Sequence, residues 1–341
     1  MKISNKFIIV TVFLVILIAS CTSTTTNKTS KTAENVRIGF KGLTLEFLKN
    51  IPPPKVFEEE TFPVILKIRN IGAFDIIDPD KAILSLGVEN DYTKSVNLLE
   101  GGNVNTLDRI SSVASFSLDG RSEINLLGEE ELISYNIVAG KIDPQSEFHK
   151  STVIATLCYP YETVSSSSVC VDTDVNNLRP IKKACNNQDI IFSNGQGAPV
   201  SVTKIETQML PTQVTGENKV SDKIKPQFLI FVENKGAGIV IKQESVTDFC
   251  TKSDTSHENF NIVYVDVSLS GKPLKCQLDV ERGSNELGHI KLKDKKDIIR
   301  CILEEGIDRN QDPYFSPLEV KLNYGYTQSI SANYLIQKPV S

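Results

Sequence analysis

The sequence predicts an all-β protein: two tandem antiparallel β-sandwich domains that follow a short apolar leader and a polar tether. Three observations carry this. Past position 35, apolar and polar residues alternate with a period of two in most segments. A strand-and-turn pattern recurs at a constant offset of 164 residues. No long segment keeps a 3.6-residue apolar spacing between helix caps. The length of 341 residues fits about two domains of roughly 150 residues each.

Residues 1–20 read as a signal peptide. Lys2 and Lys6 precede an apolar run, FIIVTVFLVILIA over 7–19, of 13 residues. A helix crossing a bilayer needs about 20 apolar residues, so this run is short for a span and right for an export signal. Ile18, Ala19 and Ser20 stand immediately before Cys21. That arrangement resembles the lipobox of prokaryotic lipoproteins, which implies lipid modification of the Cys21 sulfur and a membrane anchor there. Two acyl chains on one residue hold a protein far more durably than one chain does. Residues 21–35, rich in Thr and Ser, contain one apolar residue beyond Cys21 (Ala33) and read as a flexible tether. They hold the only N-glycosylation sequon, at Asn27.

The net charge of -5 becomes -7 once the leader and its two lysines are removed. An acidic chain offers no clustered basic face to a phosphate backbone, so no nucleic-acid partner is expected.

In the body, Val64, Leu66 and Ile68 fall on one strand face, as do Phe228, Ile230 and Val232. Near the C-terminus Leu318, Val320, Leu322, Tyr324 and Tyr326 alternate. After an apparent polar turn at Thr327, Gln328 and Ser329, so do Ile330, Ala332, Tyr334 and Ile336. The strongest helical segments are 105–115 and 297–305. The repeat aligns Asn70-Ile71-Gly72-Ala73 with Asn234-Lys235-Gly236-Ala237, an Asn-x-Gly turn signal closing each strand. It predicts domain 1 over 36–172, a linker at 173–182 and domain 2 over 183–341.

The segment from Pro54 to Gly72, with its acidic turn at Glu58, Glu59 and Glu60, resembles the opening of CARDB-type immunoglobulin-like domains of prokaryotic cell-surface proteins, and the copy from Pro226 to Gly238 is similar. Cys158-Tyr159-Pro160-Tyr161 and Gly195-Gln196-Gly197-Ala198-Pro199 resemble segments of archaeal surface lipoproteins. The resemblance implies immunoglobulin-like sandwiches that serve as binding or structural modules and brings no catalytic residues. The antibody-type Cys, Trp, Cys spacing is absent, and the chain has no tryptophan.

Six cysteines remain beyond Cys21: Cys158, Cys170, Cys185, Cys250, Cys276 and Cys301. An even number in an exported chain implies disulfides, and the close pairs of a zinc site are missing. A hairpin near Val164 would pair Cys158 with Cys170, Cys276 would join Cys301, and Cys185 would join Cys250. The main alternative pairs Cys170 with Cys185 and Cys158 with Cys250. Each bridge is worth about 3 kcal/mol in the chain-entropy picture.

No catalytic set, cofactor or metal site is expected. Asp308-Arg309-Asn310-Gln311-Asp312 resembles part of a calcium loop, but Pro313 stands where such a loop needs glycine. His149, His257 and His289 sit in no hydrolase signature. With no tryptophan, only tyrosines such as Tyr159 and Tyr161 could stack on sugar rings, which lowers the sugar-binding reading. These readings converge on a lipid-anchored cell-surface protein, not an enzyme. Its expected role is adhesion, partner binding or envelope structure, with a protein or envelope-surface partner. The alternatives are an envelope hydrolase using dispersed carboxylates, and the substrate-capturing lipoprotein of a transporter, which would need two α/β lobes.

Overall fold

The computed structural model describes residues 36–101, 113–212, 223–252, 256–277 and 288–339. The leader 1–20, Cys21, the tether 21–35 and the sequon at Asn27 lie outside the described residues. The first half of the body forms β1 (Leu43–Phe47), β2 (Lys55–Phe57), β3 (Thr61–Asn70), β4 (Ala82–Gly87), β5 (Thr93–Glu100), β6 (Val113–Phe116), β7 (Glu130–Ala139) and β8 (Phe148–Val171). The second half forms β9 (Ile190–Ile191), β10 (Val200–Thr212), β11 (Lys223–Asn234), β12 (Ile239–Ile241), helix α1 (Val246–Thr251), β13 (Ile262–Leu269) and β14 (Lys272–Pro273). It continues through β15 (Lys275–Gln277), β16 (His289–Lys291), β17 (Lys296–Ile302), β18 (Ile307–Asp308) and β19 (Tyr314–Gln337).

The alternating faces seen in the sequence are the ones that become buried. Val64, Leu66 and Ile68 are fully buried in β3, as are Phe228 and Ile230 in β11 and Leu318, Val320, Leu322 and Tyr324 in β19. Each such aliphatic side chain contributes about 1.5–3 kcal/mol on leaving water, which settles which face turns inward. All but one of the strand pairings are antiparallel; β2 runs parallel to the end of β19.

Two sheets are private to one half each. The first is ordered β1-β3-β7-β5, the second β15-β17-β11-β10-β9 with β18 attached to β11. Each places its first, second, fourth and third principal strands in that spatial order, so the 164-residue repeat is a repeat of topology. The third sheet is shared. Its order is β14-β13-β19-β8-β4-β6, with β2 and β12 on β19 and β16 on β13.

At its middle, β8 and β19 run antiparallel for 24 residues each, from Phe148 opposite Gln337 to Val171 opposite Tyr314. The start of β8 and the end of β19 cover the first private sheet, where the Phe62 ring lies 4.9 Å from that of Tyr334. The end of β8 and the start of β19 cover the second, where the Thr163 hydroxyl donates to Val200 O at 2.6 Å.

The expected division at 173–182 is therefore corrected. Residues from Val36 onward form one compact unit, because each half's last strand completes the other half's sandwich. The segment read as a linker is not a loose connector. Asp172, Thr173 and Asp174 are buried, the Lys183 ammonium lies 2.7 Å from the Asp172 carboxylate and donates to Asp174 O at 2.6 Å.

Both predicted hairpins inside the long strands are also corrected. The polar residues taken for turns lie within the ribbon: Thr327, Gln328 and Ser329 sit opposite Cys158, Leu157 and Thr156, and the Thr156 and Ser329 hydroxyls meet at 2.9 Å. Of the two helical candidates, 297–305 is mostly strand β17. Residues 113–115 of the other belong to β6, and its remainder, 105–112, falls outside the described residues. Helix α1 buries Val246 and Cys250 against Ile83, Cys158 and Ile241 on the outer face of the shared sheet.

Candidate functional site

Four tyrosines occupy the crossing of β8 and β19, Tyr159 opposite Tyr326 and Tyr161 opposite Tyr324. Neighbouring ring centroids are 5.6–6.4 Å apart. Their hydroxyls hold the two halves by matching bonds. Leu43 N, at the start of β1, donates to the Tyr159 oxygen at 3.3 Å, and Val200 N, at the start of β10, donates to the Tyr324 oxygen at 3.2 Å. Gln328 Nε2 donates to Leu43 O, as the Thr163 hydroxyl does to Val200 O. That spends the Thr163 proton, so Tyr324 is the donor in its 3.0 Å contact with Thr163.

The Asn-x-Gly echo belongs to the same construction. Tyr161 donates to Asn70 Oδ1 at 3.2 Å and accepts from Phe74 N. Tyr326 donates to Asn234 Oδ1 at 3.5 Å and accepts from Gly238 N at 2.7 Å. In each turn the same Asn oxygen accepts from the glycine N–H, and the Asn amide donates to the carbonyl four residues on. Neither Gly72 nor Gly236 has positive φ. Glycine is needed because a Cβ would lie 1.7 Å from the Tyr161 hydroxyl at Gly72 and 2.1 Å from the Tyr326 hydroxyl at Gly236.

Burial, followed by the neighbouring phenols, pushes Tyr159 well above the ordinary phenol value, and burial pushes Tyr326 up to about 12. These groups are struts that stay protonated at neutral pH. The idea of Tyr159 and Tyr161 as sugar platforms is overturned, since each is only 1% exposed.

Shallow clefts lined by described residues border this body. One, of about 210 Å³, lies at the crossing between Phe40, Leu43, Pro199, Ala237 and Tyr326 and has no carboxylate in its lining. The other, of about 230 Å³, is lined by Lys272, Glu305, Asp308 and Tyr314. Both are smaller than the roughly 300–1,000 Å³ of ordinary ligand pockets. In the second, the Glu305 carboxylate is bound by Lys272, which holds it below the usual carboxylate range, and Asp308 accepts from Asn310 N at 2.9 Å. The calcium-like loop already has its cation: the Arg179 guanidinium donates to Asn310 O and Gln311 O.

Of the histidines, His149 stacks on Tyr92 at 3.5 Å and contacts Glu89 at 2.9 Å. Ser151 also donates to that Glu89 oxygen. The acid stands between hydroxyl and imidazole, so the three do not form a nucleophile–base relay. His257 and His289 lie beside Phe260 and Tyr264. Among the described residues no cluster of three metal-ligating side chains forms.

The six cysteines pair as Cys158–Cys250, Cys170–Cys185 and Cys276–Cys301. The expected Cys158–Cys170 and Cys185–Cys250 bridges are corrected for a geometric reason. Residues 158 and 170 lie 12 positions apart on one unbroken strand, roughly 40 Å at 3.3 Å per residue. Cys276 and Cys301 are in register across β15 and β17. The site missed in the sequence is loop 121–128, between β6 and β7. It presents Ile124 at 99%, Leu126 at 52% and Leu127 at 69% exposure.

No family model matches the chain, and no curated protein matches it. Among solved structures, the C-terminal domain of the Streptococcus agalactiae AgI/II polypeptide BspA aligns with 87% of this chain and 100% of its own, at 8% identity and a TM-score of 0.17. A likeness at that level supports neither a shared fold nor a shared role.

Proposed function

We propose that this is a lipid-anchored, non-catalytic protein of the outer cell surface, fixed to the membrane through Cys21 and presenting a rigid body to a protein or envelope partner. The observation that carries the reading is that all six body cysteines are spent on three bridges, chemistry that persists outside the reducing cytoplasm. The apolar leader ending at Cys21 supplies the export signal and the anchor. Among the described residues strands do not alternate with helices as two α/β lobes would, which leaves a transporter's capture lipoprotein without its main support.

A binding or structural role is favoured by how the polar groups at the crossing and in the clefts are used. The phenols brace strands, the cleft acids are engaged by Lys272 and backbone N–H groups, and Arg179 fills the acidic loop. Kinship of each half with CARDB-type modules is part of the proposal, supported by the repeated Asn-x-Gly and tyrosine construction. The test is Cys21→Ser in the full chain: the variant should be lost from the membrane fraction and collect in the medium. Retention equal to that of the parent would overturn the anchor. Crosslinking on intact cells, followed by mass spectrometry, would identify the partner.

A further inference from the structure

Loop 121–128 is aliphatic, exposed and firmly built. Ser122 N donates to Asn125 O, and Asn125 N to Ser122 Oγ at 3.0 Å. Leu127 N donates to Asn125 Oδ1 and Gly128 N to Asn125 O. At its base, Arg121 N donates to Gly72 O at 2.7 Å. These bonds hold Ile124, Leu126 and Leu127 outward, against the hydrophobic effect, and such an arrangement marks a contact surface.

The same base adjoins the point where the chain enters the body. The Arg121 guanidinium donates to Ile38 O. Residues next to it are clamped by Gly39 N to Asn194 O at 2.6 Å and Gly197 N to Gly39 O at 2.9 Å. Only 15 positions separate Cys21 from Val36, where the described body begins. Arg37 and Lys41, both exposed, flank the root.

We propose that loop 121–128 enters the lipid interface beside the anchor, so that the body lies against the membrane instead of standing off it. This rests on the lipid-anchor reading. The occupant is a bilayer because the three side chains held outward, Ile124, Leu126 and Leu127, are aliphatic and suit the boundary between headgroups and acyl chains, with the cations Arg37 and Lys41 beside them. The cations at the root meet anionic headgroups in the same placement.

The chain has no tryptophan, so Ile124→Trp in the lipidated full chain, reconstituted into vesicles containing phosphatidylglycerol, is a single reporter. At 99% exposure in the parent, position 124 accepts the larger ring without disturbing packing. A second reporter, Leu127→Trp, repeats the reading, and Ile298→Trp, on β17 of the other half, is the comparison. Expected are blue-shifted emission at positions 124 and 127 and loss of about half or more of it with acyl-brominated lipid, while position 298 stays unquenched. Flotation of the same vesicles reads the anchor separately. Protein that floats with unquenched Trp at 124 and 127 keeps the anchor and overturns the loop's placement, in favour of a protein partner. Protein that does not float overturns both.

Discussion

The bridge between Cys158 and Cys250 closes a separation of 92 residues and ties α1, from the second half, onto the ribbon strand β8. Its contribution follows from the loop it closes. In the chain-entropy relation, 15 residues between Cys170 and Cys185 correspond to about 3.0 kcal/mol, and 25 between Cys276 and Cys301 to about 3.5 kcal/mol. For Cys158 and Cys250 the Cys170–Cys185 bridge lies inside the loop and shortens it to about 77 free residues, which leaves about 4.5 kcal/mol. Over a body of about 300 residues that is a loss of roughly 7 °C in Tm.

Paired alanine variants, each removing one bridge, should rank in that order in guanidinium or thermal melts. The connectivity itself is read from an unreduced digest. Trypsin places Cys158 and Cys170 on one peptide, so the observed pairing ties three peptides together, whereas a Cys158–Cys170 bridge would free that peptide with an internal link. Release of that peptide alone, or a Cys158→Ala/Cys250→Ala variant as stable as the parent, would refute the continuous strand from which the argument is built.

Two other predictions concern single groups. Gly236→Ala puts a Cβ 2.1 Å from the Tyr326 hydroxyl and should cost about 1–3 kcal/mol as overpacking. Tyr326→Phe should cost about 1–3 kcal/mol, by stranding Gly238 N, while Asn234 Oδ1 keeps its bond from Gly236 N. The double variant should cost less than the sum in urea melts, and strict additivity would count against the contact. For Asp174, burial pushes the carboxyl up, but hydrogen bonds from Leu178 N and Arg179 N and the charges of Lys183 and Arg179 outweigh it and hold the group below its ordinary value. A depressed folded value gives stability that is present above about pH 4 and lost as pH falls through the folded value. Asp174→Asn should therefore melt below the parent at pH 7 and converge with it at lower pH; a gap unchanged at pH 3 would contradict the assignment.

The parts legible in the sequence were those set by local pattern. Burial of Val64, Leu66 and Ile68 in β3, and of the even-numbered residues from Leu318 to Tyr326 in β19, follows directly from period two. The repeat at offset 164 was legible too, although its reason was not: Gly72 and Gly236 read as part of a turn signal and are in fact spaces for a tyrosine hydroxyl contributed from about 90 residues away. Polar residues in the long strands misled for a physical reason. Where β8 and β19 pass from one core to the other, Thr156, Gln328 and Ser329 find their partners across the ribbon or on β1, so no turn is needed to satisfy them. At six residues, α1 is too short for a helical period to show. Loop 121–128 carries no periodic signal at all, and only the three-dimensional exposure of Ile124 sets it apart.

The shared ribbon changes what the duplication means. Were the halves independent, each would close its own sandwich, and the crossing would be a surface contact free to hinge. Here 24-residue strands extend for roughly 80 Å if fully extended, long enough for one end to serve each core, and of the four buried phenols Tyr159 and Tyr324 tie the midpoint to β1 and β10 while Tyr161 and Tyr326 tie it to the two Asn-x-Gly turns. Cys158 then fastens α1 across the opposite face. Force applied at one end of such a body is carried through paired backbone along the ribbon, not through a flexible joint. That suits a protein whose proposed work is to hold a partner at a fixed attitude to the membrane.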